Sequence, residues 1–168
     1  MNPKNLCFIY VILIVTFFSF MSCNDAIDSK HCINMPNAKE GAGTGEIINN
    51  VLFKQSRNYE NLQEGQVITS DPFDNFFLVS FDNGATYNPV DFSKYSLLGK
   101  YAEGDCTAFF YRDVSKDAKK KKYIYTIKVI SCGNCMAADV NSNWVLIPKI
   151  EEGFSVEFVI KHEQWKRK

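Results

Sequence analysis

Residues 89–135 read PVDFSKYSLLGKYAEGDCTAFFYRDVSKDAKKKKYIYTIKVISCGNC, and this stretch decides the fold. Two runs within it have the composition of strands: Asp105–Arg112 is rich in aromatic residues, and Tyr123–Cys132 alternates Tyr, Ile and Val with Thr and Lys. Aromatic and β-branched side chains suit a pleated, half-buried surface. The basic run Asp113–Lys122 between them is polar, which is typical of a solvated connection. The stretch therefore predicts a long antiparallel hairpin.

Further strands are predicted on both sides of this hairpin. Before it, Glu46–Phe53 has strand character interrupted by two asparagines, and Gln66–Thr69 is a short strand. After it, Trp144–Ile150 is apolar on both faces, and its Pro148 lacks the backbone donor that a continuing strand needs. In the last run, the apolar side chains alternate with polar ones and share one face: Phe154, Val156, Phe158 and Ile160. This pattern predicts a final strand with one wet face.

One short helix is predicted before the hairpin. Asp71 suits a helix N-cap, and Pro72 suits the first helical turn. Several of the aromatic residues that follow would share one helical face: Phe73, Phe76, Phe77 and Phe81. The sequence therefore favours a helix over 71–81, ended by the turn residues at 82–84. Together the segments predict a mainly β (α+β) fold, a small antiparallel β-sandwich or roll with one short helix.

The N-terminal segment has the features of an export signal of lipoprotein type. Lys4 precedes a long apolar run, and a serine stands before Cys23, as in sequences cut next to a lipid-modified cysteine. The run is shorter than the roughly 20 residues that a spanning helix needs. The predicted location is the bacterial cell envelope, with a lipid such as palmitate on Cys23 anchoring the chain at the periplasmic face or the cell surface. A plain secretory signal or an uncleaved anchor is the alternative. The predicted parts are a signal peptide at 1–22, a flexible tether at 23–45 and a single mainly β domain at 46–168.

The charges of the predicted mature chain are balanced. Removal of Lys4 leaves 18 of the 19 Lys and Arg residues against all 19 Asp and Glu residues. Binding to nucleic acid phosphates needs a strong basic excess. Nucleic acid is therefore not an expected partner, whereas the membrane is one, through the lipid.

Four cysteines besides Cys23 follow the signal segment: Cys32, Cys106, Cys132 and Cys135. An even number in an exported protein favours disulfides. Because the open ends of a hairpin meet, a bridge from Cys106 to Cys132 or to Cys135 is geometrically reasonable, although the sequence leaves the pairing open. The spacing of Cys132 and Cys135 also matches a thiol–disulfide redox motif, which is the enzymatic alternative. No helix of useful length fits after this motif, and a redox site of the thioredoxin type needs one.

No catalytic constellation is found in the sequence. The two histidines, His31 and His162, stand outside any recognisable nucleophile or base motif. A zinc set of Cys106, Cys132, Cys135 and His162 would contain only one CxxC spacing, and structural disulfides are the better interpretation. We therefore predict no enzymatic activity, no metal and no cofactor.

A cluster of lysines at the predicted hairpin tip is a candidate binding patch: Lys116, Lys119, Lys120, Lys121 and Lys122. Such a patch suits acidic glycans, anionic headgroups or an acidic partner protein. A glycan- or surface-binding module is therefore a third functional class. The more ordinary interpretation of the cluster is a solubilising loop.

Several blocks between Gln66 and Lys161 match a known family pattern. The blocks are QVITSDPFDNFF at 66–77, PVDFSK at 89–94, LLG at 97–99, the paired strands around 123–129 and IPK at 147–149 before the final strand. They resemble the PrcB-type protease-complex lipoprotein domain. The resemblance implies a non-enzymatic, lipid-anchored extracytoplasmic accessory module that binds or stabilises a cell-surface protease complex. Within the PVDFSK block, we expect Asp91 to have a structural role, capping a turn.

Overall fold

A computed structural model describes residues 43–55, 64–70, 77–133 and 138–165, which form ten strands. No helix is found among these residues, and hence none that is long and apolar enough to cross a membrane. The mainly β fold predicted from the sequence is confirmed. The strands are β1 (Gly43–Gly45), β2 (Leu52–Gln55), β3 (Gln66–Ile68), β4 (Phe77–Ser80), β5 (Asn88–Pro89), β6 (Tyr95–Asp105), β7 (Thr107–Asp117), β8 (Lys122–Cys132), β9 (Ala138–Pro148) and β10 (Ser155–Gln164).

The strands form three sheets. The main sheet has the order β1-β7-β8-β10, the middle sheet has the order β3-β6-β9, and the small sheet has the order β2-β4-β5. Most neighbouring strands are antiparallel, whereas β1 with β7 and β10 with β8 are parallel. β10 is parallel to β8 because it begins beside the start of β8, where Ser155 N–H donates to the Lys121 carbonyl at 3.1 Å.

One long hairpin supplies four of the strands. β6 runs into β7 through a single residue, Cys106, whose φ of 56° is uncommon for a residue with a side chain. β7 pairs with β8 in the main sheet, and β6 pairs with β9 in the middle sheet. The hairpin therefore starts in the middle sheet, bends at Cys106 and ends in the main sheet. Its two halves pack against each other in one apolar cluster.

The middle sheet is buried on both faces. Leu98 and Val145 pack with the main sheet, whereas their chain neighbours Leu97 and Leu146 pack with the small sheet. Successive side chains of a strand point to opposite faces, so a strand covered on both sides is apolar at every position. This arrangement explains the unbroken apolar run WVLI at 144–147.

Several predicted strands are confirmed with shifted bounds. The central hairpin is present, but β7 continues to Asp117, so the connection is 118–121 instead of the predicted 113–122. β3 matches the short strand predicted at 66–69, and Pro148 is the last residue of β9, as its missing N–H requires. The predicted apolar face of the last strand packs onto the core of the main sheet: Phe154, Val156, Phe158 and Ile160.

The helix predicted over 71–81 is wrong where the structure describes it. Residues 77–80 form β4, in which Phe77 and Val79 are buried with the two-residue period of a strand. Pairing of β4 with β2 and β5 satisfies its backbone, and this tertiary context overrides the local capping signal of Asp71. Residues 71–76 lie outside the described residues.

The start of the domain also differs from the prediction. Gly43–Gly45, which the sequence assigns to the tether, forms β1 and pairs in parallel with β7. Of the strand predicted at 46–53, only residues 52–53 belong to a strand, β2, which continues to Gln55; the backbone turns before it at Asn50, where φ is 61°. The folded part therefore begins at or before residue 43.

Asp91 caps a turn, as predicted. Ser93 N–H donates to its carboxylate at 3.1 Å, and the N–H groups of Lys94 and Tyr95 donate to its carbonyl, each at 3.0 Å. The hydrogen bond from Ser93 and the Lys94 ammonium lower the pKa of Asp91 to about 2. The turn directs the chain into β6, which begins at Tyr95.

Candidate functional site

A cleft of about 380 Å³ lies along the outer edge of the middle sheet, where β9 meets the main and small sheets. Elsewhere along this edge the backbone is covered, since Ile48 N–H donates to the Leu146 carbonyl at 2.9 Å. Further along β9, the side chains of Asn141, Ser142 and Trp144 line the cleft instead. All three sheets therefore contribute to one concave site.

The walls of the cleft are mainly apolar and aromatic. They come from β2 and the residue before it, from the turn ahead of β5 and from β9: Val51, Leu52, Phe53, Tyr87 and Trp144. Val51 and Trp144 are buried, whereas Tyr87 is 37 % exposed, so the cleft runs from the surface into the core. Concave sites with apolar walls and a few polar groups are typical of small-ligand binding.

Among the described residues that line the cleft, Arg112 alone carries a charge. It lies on β7 and is only 8 % exposed. Its Nε makes no hydrogen bond within the described residues, and none of the ion pairs found there includes its guanidinium. Burial of a cation without a partner is costly. The fold therefore keeps an uncompensated positive charge beside the cleft.

Three neutral polar side chains complete the lining: Gln55, Asn141 and Ser142. Behind them, the buried Asn143 amide donates to the Asn141 carbonyl, and the Tyr125 hydroxyl donates to the Asn143 carbonyl, each at 3.1 Å. Burial raises the pKa of Tyr125, while the charge of Arg112 acts in the opposite direction. The phenol therefore remains a neutral donor that holds the β9 backbone beside the cleft.

The turn between β4 and β5 sets the position of Tyr87 on the rim. The turn predicted at 82–84 is confirmed, with positive φ at its last two residues. The Asp82 carboxylate accepts hydrogen bonds from the Ser80 hydroxyl at 2.6 Å and from the Thr86 N–H at 2.9 Å. These bonds fix the residue that precedes Tyr87.

Strong acid is expected to weaken this turn. Hydrogen bonds from Ser80 and Thr86 lower the pKa of Asp82 from 3.8 to about 2. A carboxyl with a lowered pKa in the folded state adds stability above its unfolded pKa, and this stability is lost as the pH falls through about 2. An NMR titration of the Asp82 carboxyl carbon should give a midpoint near 2 in the wild type and a higher midpoint in Ser80→Ala. A wild-type midpoint at 3.8 would contradict the turn geometry.

The candidate lysine patch lies at the tip of the β7–β8 hairpin and does not line the cleft. Within the described residues, three of its five lysines pair with carboxylates: Lys116 with Glu151, Lys120 with Asp117 and Lys122 with Glu157. The hydrogen bond from Lys122 also lowers the pKa of Glu157. This local neutralisation favours the interpretation as a solubilising loop.

The structure describes two of the four cysteines predicted to form disulfides. Cys106 and Cys132 lie at the bend of the long hairpin, where their backbones form a β-bridge. Cys23, Cys32 and Cys135 lie outside the described residues, so the lipid site and the pairing stay predictions. Cys132 is the last residue of β8, and the next described element is β9, so the redox alternative gains no helix from the described chain.

No metal site is found in the ranges that the structure describes. There, no three His, Cys, Asp or Glu side chains come together. His162 lies on β10 opposite Val129, and Cys135, another member of the zinc set considered above, lies outside those ranges. The zinc interpretation therefore gains no support from the geometry.

Arg112 is the candidate residue that the sequence does not single out. The predicted first strand of the hairpin ends at this residue, which leaves its side chain at the start of a polar connection. Because β7 continues to Asp117, Arg112 instead shares the inward face of Phe110 and Val114. The signal was present in the alternation AxFxRxV at 108–114, where a charge occupies an inward position.

Comparison with known proteins gives no match. No protein-family model, no curated protein and no solved structure matches this chain. A functional proposal therefore rests on the fold, on the cleft and on the sequence itself.

Proposed function

We propose that this protein is a lipid-anchored, extracytoplasmic binding module that serves as an accessory subunit of a cell-surface protease complex. The cleft at the β9 edge carries the binding part of the proposal. It combines the aromatic side chains of Tyr87 and Trp144 with the buried cation of Arg112. Apolar surface with few oriented polar groups is the usual composition of a ligand site. The accessory role comes from the resemblance of residues 66–161 to the PrcB-type domain.

The envelope location belongs to the same proposal. The apolar run before Cys23 supports export and lipid attachment. A disulfide at Cys106 and Cys132 would fit an oxidising compartment. It is supported by the β-bridge that brings the two backbones together at the bend. Covalent closure at the bend would hold the two halves of the long hairpin in their packed arrangement.

Site-specific photo-cross-linking of the full-length chain in its own membranes tests this function. A photoreactive amino acid replaces Tyr87 on the cleft rim in one variant and Lys161, an exposed residue of β10, in the matched control. We expect the Tyr87 position to form a discrete adduct with a protease or its pro-form, and the Lys161 position to form none. In the same preparation, a metabolically supplied alkynyl fatty acid is expected to label the wild type and not Cys23→Ala.

Three results would count against the proposal. Equal labelling from Tyr87 and Lys161 would mean that partner contact does not depend on the cleft. The lack of any protein adduct at Tyr87 would remove the accessory role. A wild type that carries no fatty-acid label, or a Cys23→Ala chain that carries as much label, would exclude Cys23 as the lipid site.

A further inference from the structure

We infer that the cleft binds a small organic carboxylate, with its carboxylate group on Arg112 and its apolar or aromatic body along Tyr87 and Trp144. This inference rests on the proposed binding function and names the ligand class for that site. The carboxylate belongs either to a free acid or to the chain terminus of a partner protein. The recognition chemistry is the same for both sources.

The burial of Arg112 and the missing partner of its Nε among the described residues favour an anionic ligand. Its side chain is more than nine-tenths buried and lines the cleft, and its Nε is without a hydrogen-bond partner in the described chain. The adjacent Asp113 takes part in none of the ion pairs of the described residues, and its carboxylate accepts a hydrogen bond from the Thr44 hydroxyl at 2.5 Å. A guanidinium has a planar fork that matches a carboxylate with two parallel hydrogen bonds, and such bonds strengthen in a buried site.

The charge of the lining favours a carboxylate over a phosphate. Gln55, Asn141 and Ser142 are neutral, so the described lining offers one positive charge, which balances a monoanion. Phosphate sites draw on several donors, commonly the N–H groups of a helix N-terminus or a backbone nest, and the described residues contain no helix. The balance of charge therefore selects the singly charged group.

The size and the rim of the cleft define the rest of the ligand. A volume of about 380 Å³ is near the lower end of small-ligand sites, and it suits one ring with a short acid side chain. The exposed Lys54 ammonium lies 5.9 Å from the centroid of the Tyr87 ring. It adds positive potential at the entrance, which attracts anions toward the cleft.

Calorimetric titration of the purified full-length chain in a mild detergent tests the inference. Phenylacetate is the acid probe, phenylacetamide is its neutral counterpart, and inorganic phosphate carries charge without an apolar body. We expect saturable binding of phenylacetate with a Kd on the order of 1 mM or tighter, and binding of the other two at least about tenfold weaker. Acetyl-glycyl-phenylalanine, as acid and as amide, represents a chain terminus. Tighter binding of this acid than of phenylacetate would assign the carboxylate to a partner protein.

Two variants separate a binding role of Arg112 from a structural one. Arg112→Met should weaken phenylacetate binding about 10- to 100-fold, because the charge-assisted hydrogen bonds are lost. Without any probe, it should raise the midpoint of thermal unfolding by roughly 3 °C or more, since an uncompensated buried cation is replaced by an apolar side chain. Lys161→Met removes the same charge from an exposed position on β10 and should change neither quantity. If Arg112 had only a structural role, its replacement by methionine would lower the midpoint of thermal unfolding instead of raising it.

The outcomes distinguish this inference from the proposed function. Equal affinity for phenylacetate and phenylacetamide, unchanged affinity in Arg112→Met, or no saturation by any probe would overturn the carboxylate inference. If the Tyr87 position still cross-links to the partner in that case, the accessory function stands without it. If neither experiment gives its expected result, both the ligand class and the proposed function fail.

Discussion

Replacement of Phe77 by alanine is expected to lower the free energy of unfolding by about 3–5 kcal/mol. The ring is 0 % exposed and belongs to the apolar cluster between the middle and small sheets. It contacts the Trp144 indole edge to face, with ring centroids 4.8 Å apart, and such aromatic pairs add to the gain from burial. Because protein interiors are close-packed, the lost ring would leave a cavity next to the cleft wall.

Phe81→Ala is the matched control for this prediction. Phe81 is the same residue type at the end of the same segment, but its side chain is 52 % exposed. Its replacement should cost about 1 kcal/mol or less. Guanidinium chloride unfolding followed by tryptophan fluorescence measures both variants. A loss in Phe77→Ala no larger than that in Phe81→Ala would show that β4 does not anchor this cluster.

Gly99→Ala is expected to cost about 2–3 kcal/mol of stability through overpacking. Gly99 and Trp144 are cross-strand partners on β6 and β9. A Cβ atom on Gly99 would lie 2.3 Å from Cζ3 of the Trp144 indole, which is far inside contact distance. The rigid indole packs between Phe77 and the cleft, so its displacement would disturb both. The same unfolding experiment measures the loss.

A double-mutant cycle with Trp144→Leu isolates the cause of this loss. In the Trp144→Leu background, Gly99→Ala should cost less than about 1 kcal/mol, since the ring that meets the new methyl group is gone. The difference between the two costs is the coupling between Gly99 and Trp144. Equal costs in both backgrounds would mean that Gly99 acts through its backbone and not by making room for the indole.

The sequence predicts well those strands whose side chains alternate against one core. Tyr123–Cys132 and the final strand have a local pattern that agrees with their packing. β6 is not predicted, because Gly99 and Gly104 lower its strand propensity. The reason for these glycines is visible only in the folded chain, where Cβ atoms at these positions would meet Trp144 and Ala108, respectively.

The wrong helix prediction and the missed cleft both concern structure that depends on contacts between segments distant in the sequence. The capping signal at Asp71 is local, whereas the burial of Phe77 and Val79 depends on the pairing of β4 with β2 and β5. The cleft depends on the bend at Cys106, which brings β7 of the main sheet to the β9 edge of the middle sheet. No local pattern specifies that bend, so the sequence alone leaves Arg112 without a role.

The Nε–H resonance of Arg112 tests most directly whether this residue holds an anion in the cleft. The measurement uses the ¹⁵N-labelled full-length chain in detergent, with the resonance assigned by its loss in Arg112→Met. Phenylacetate is predicted to shift the Arg112 Nε–H proton to lower field and to slow its exchange with water, because a charge-assisted hydrogen bond forms. Phenylacetamide should leave the resonance in place. An Nε–H resonance that stays unchanged at a saturating concentration of phenylacetate would contradict the assignment of the cleft as a carboxylate site.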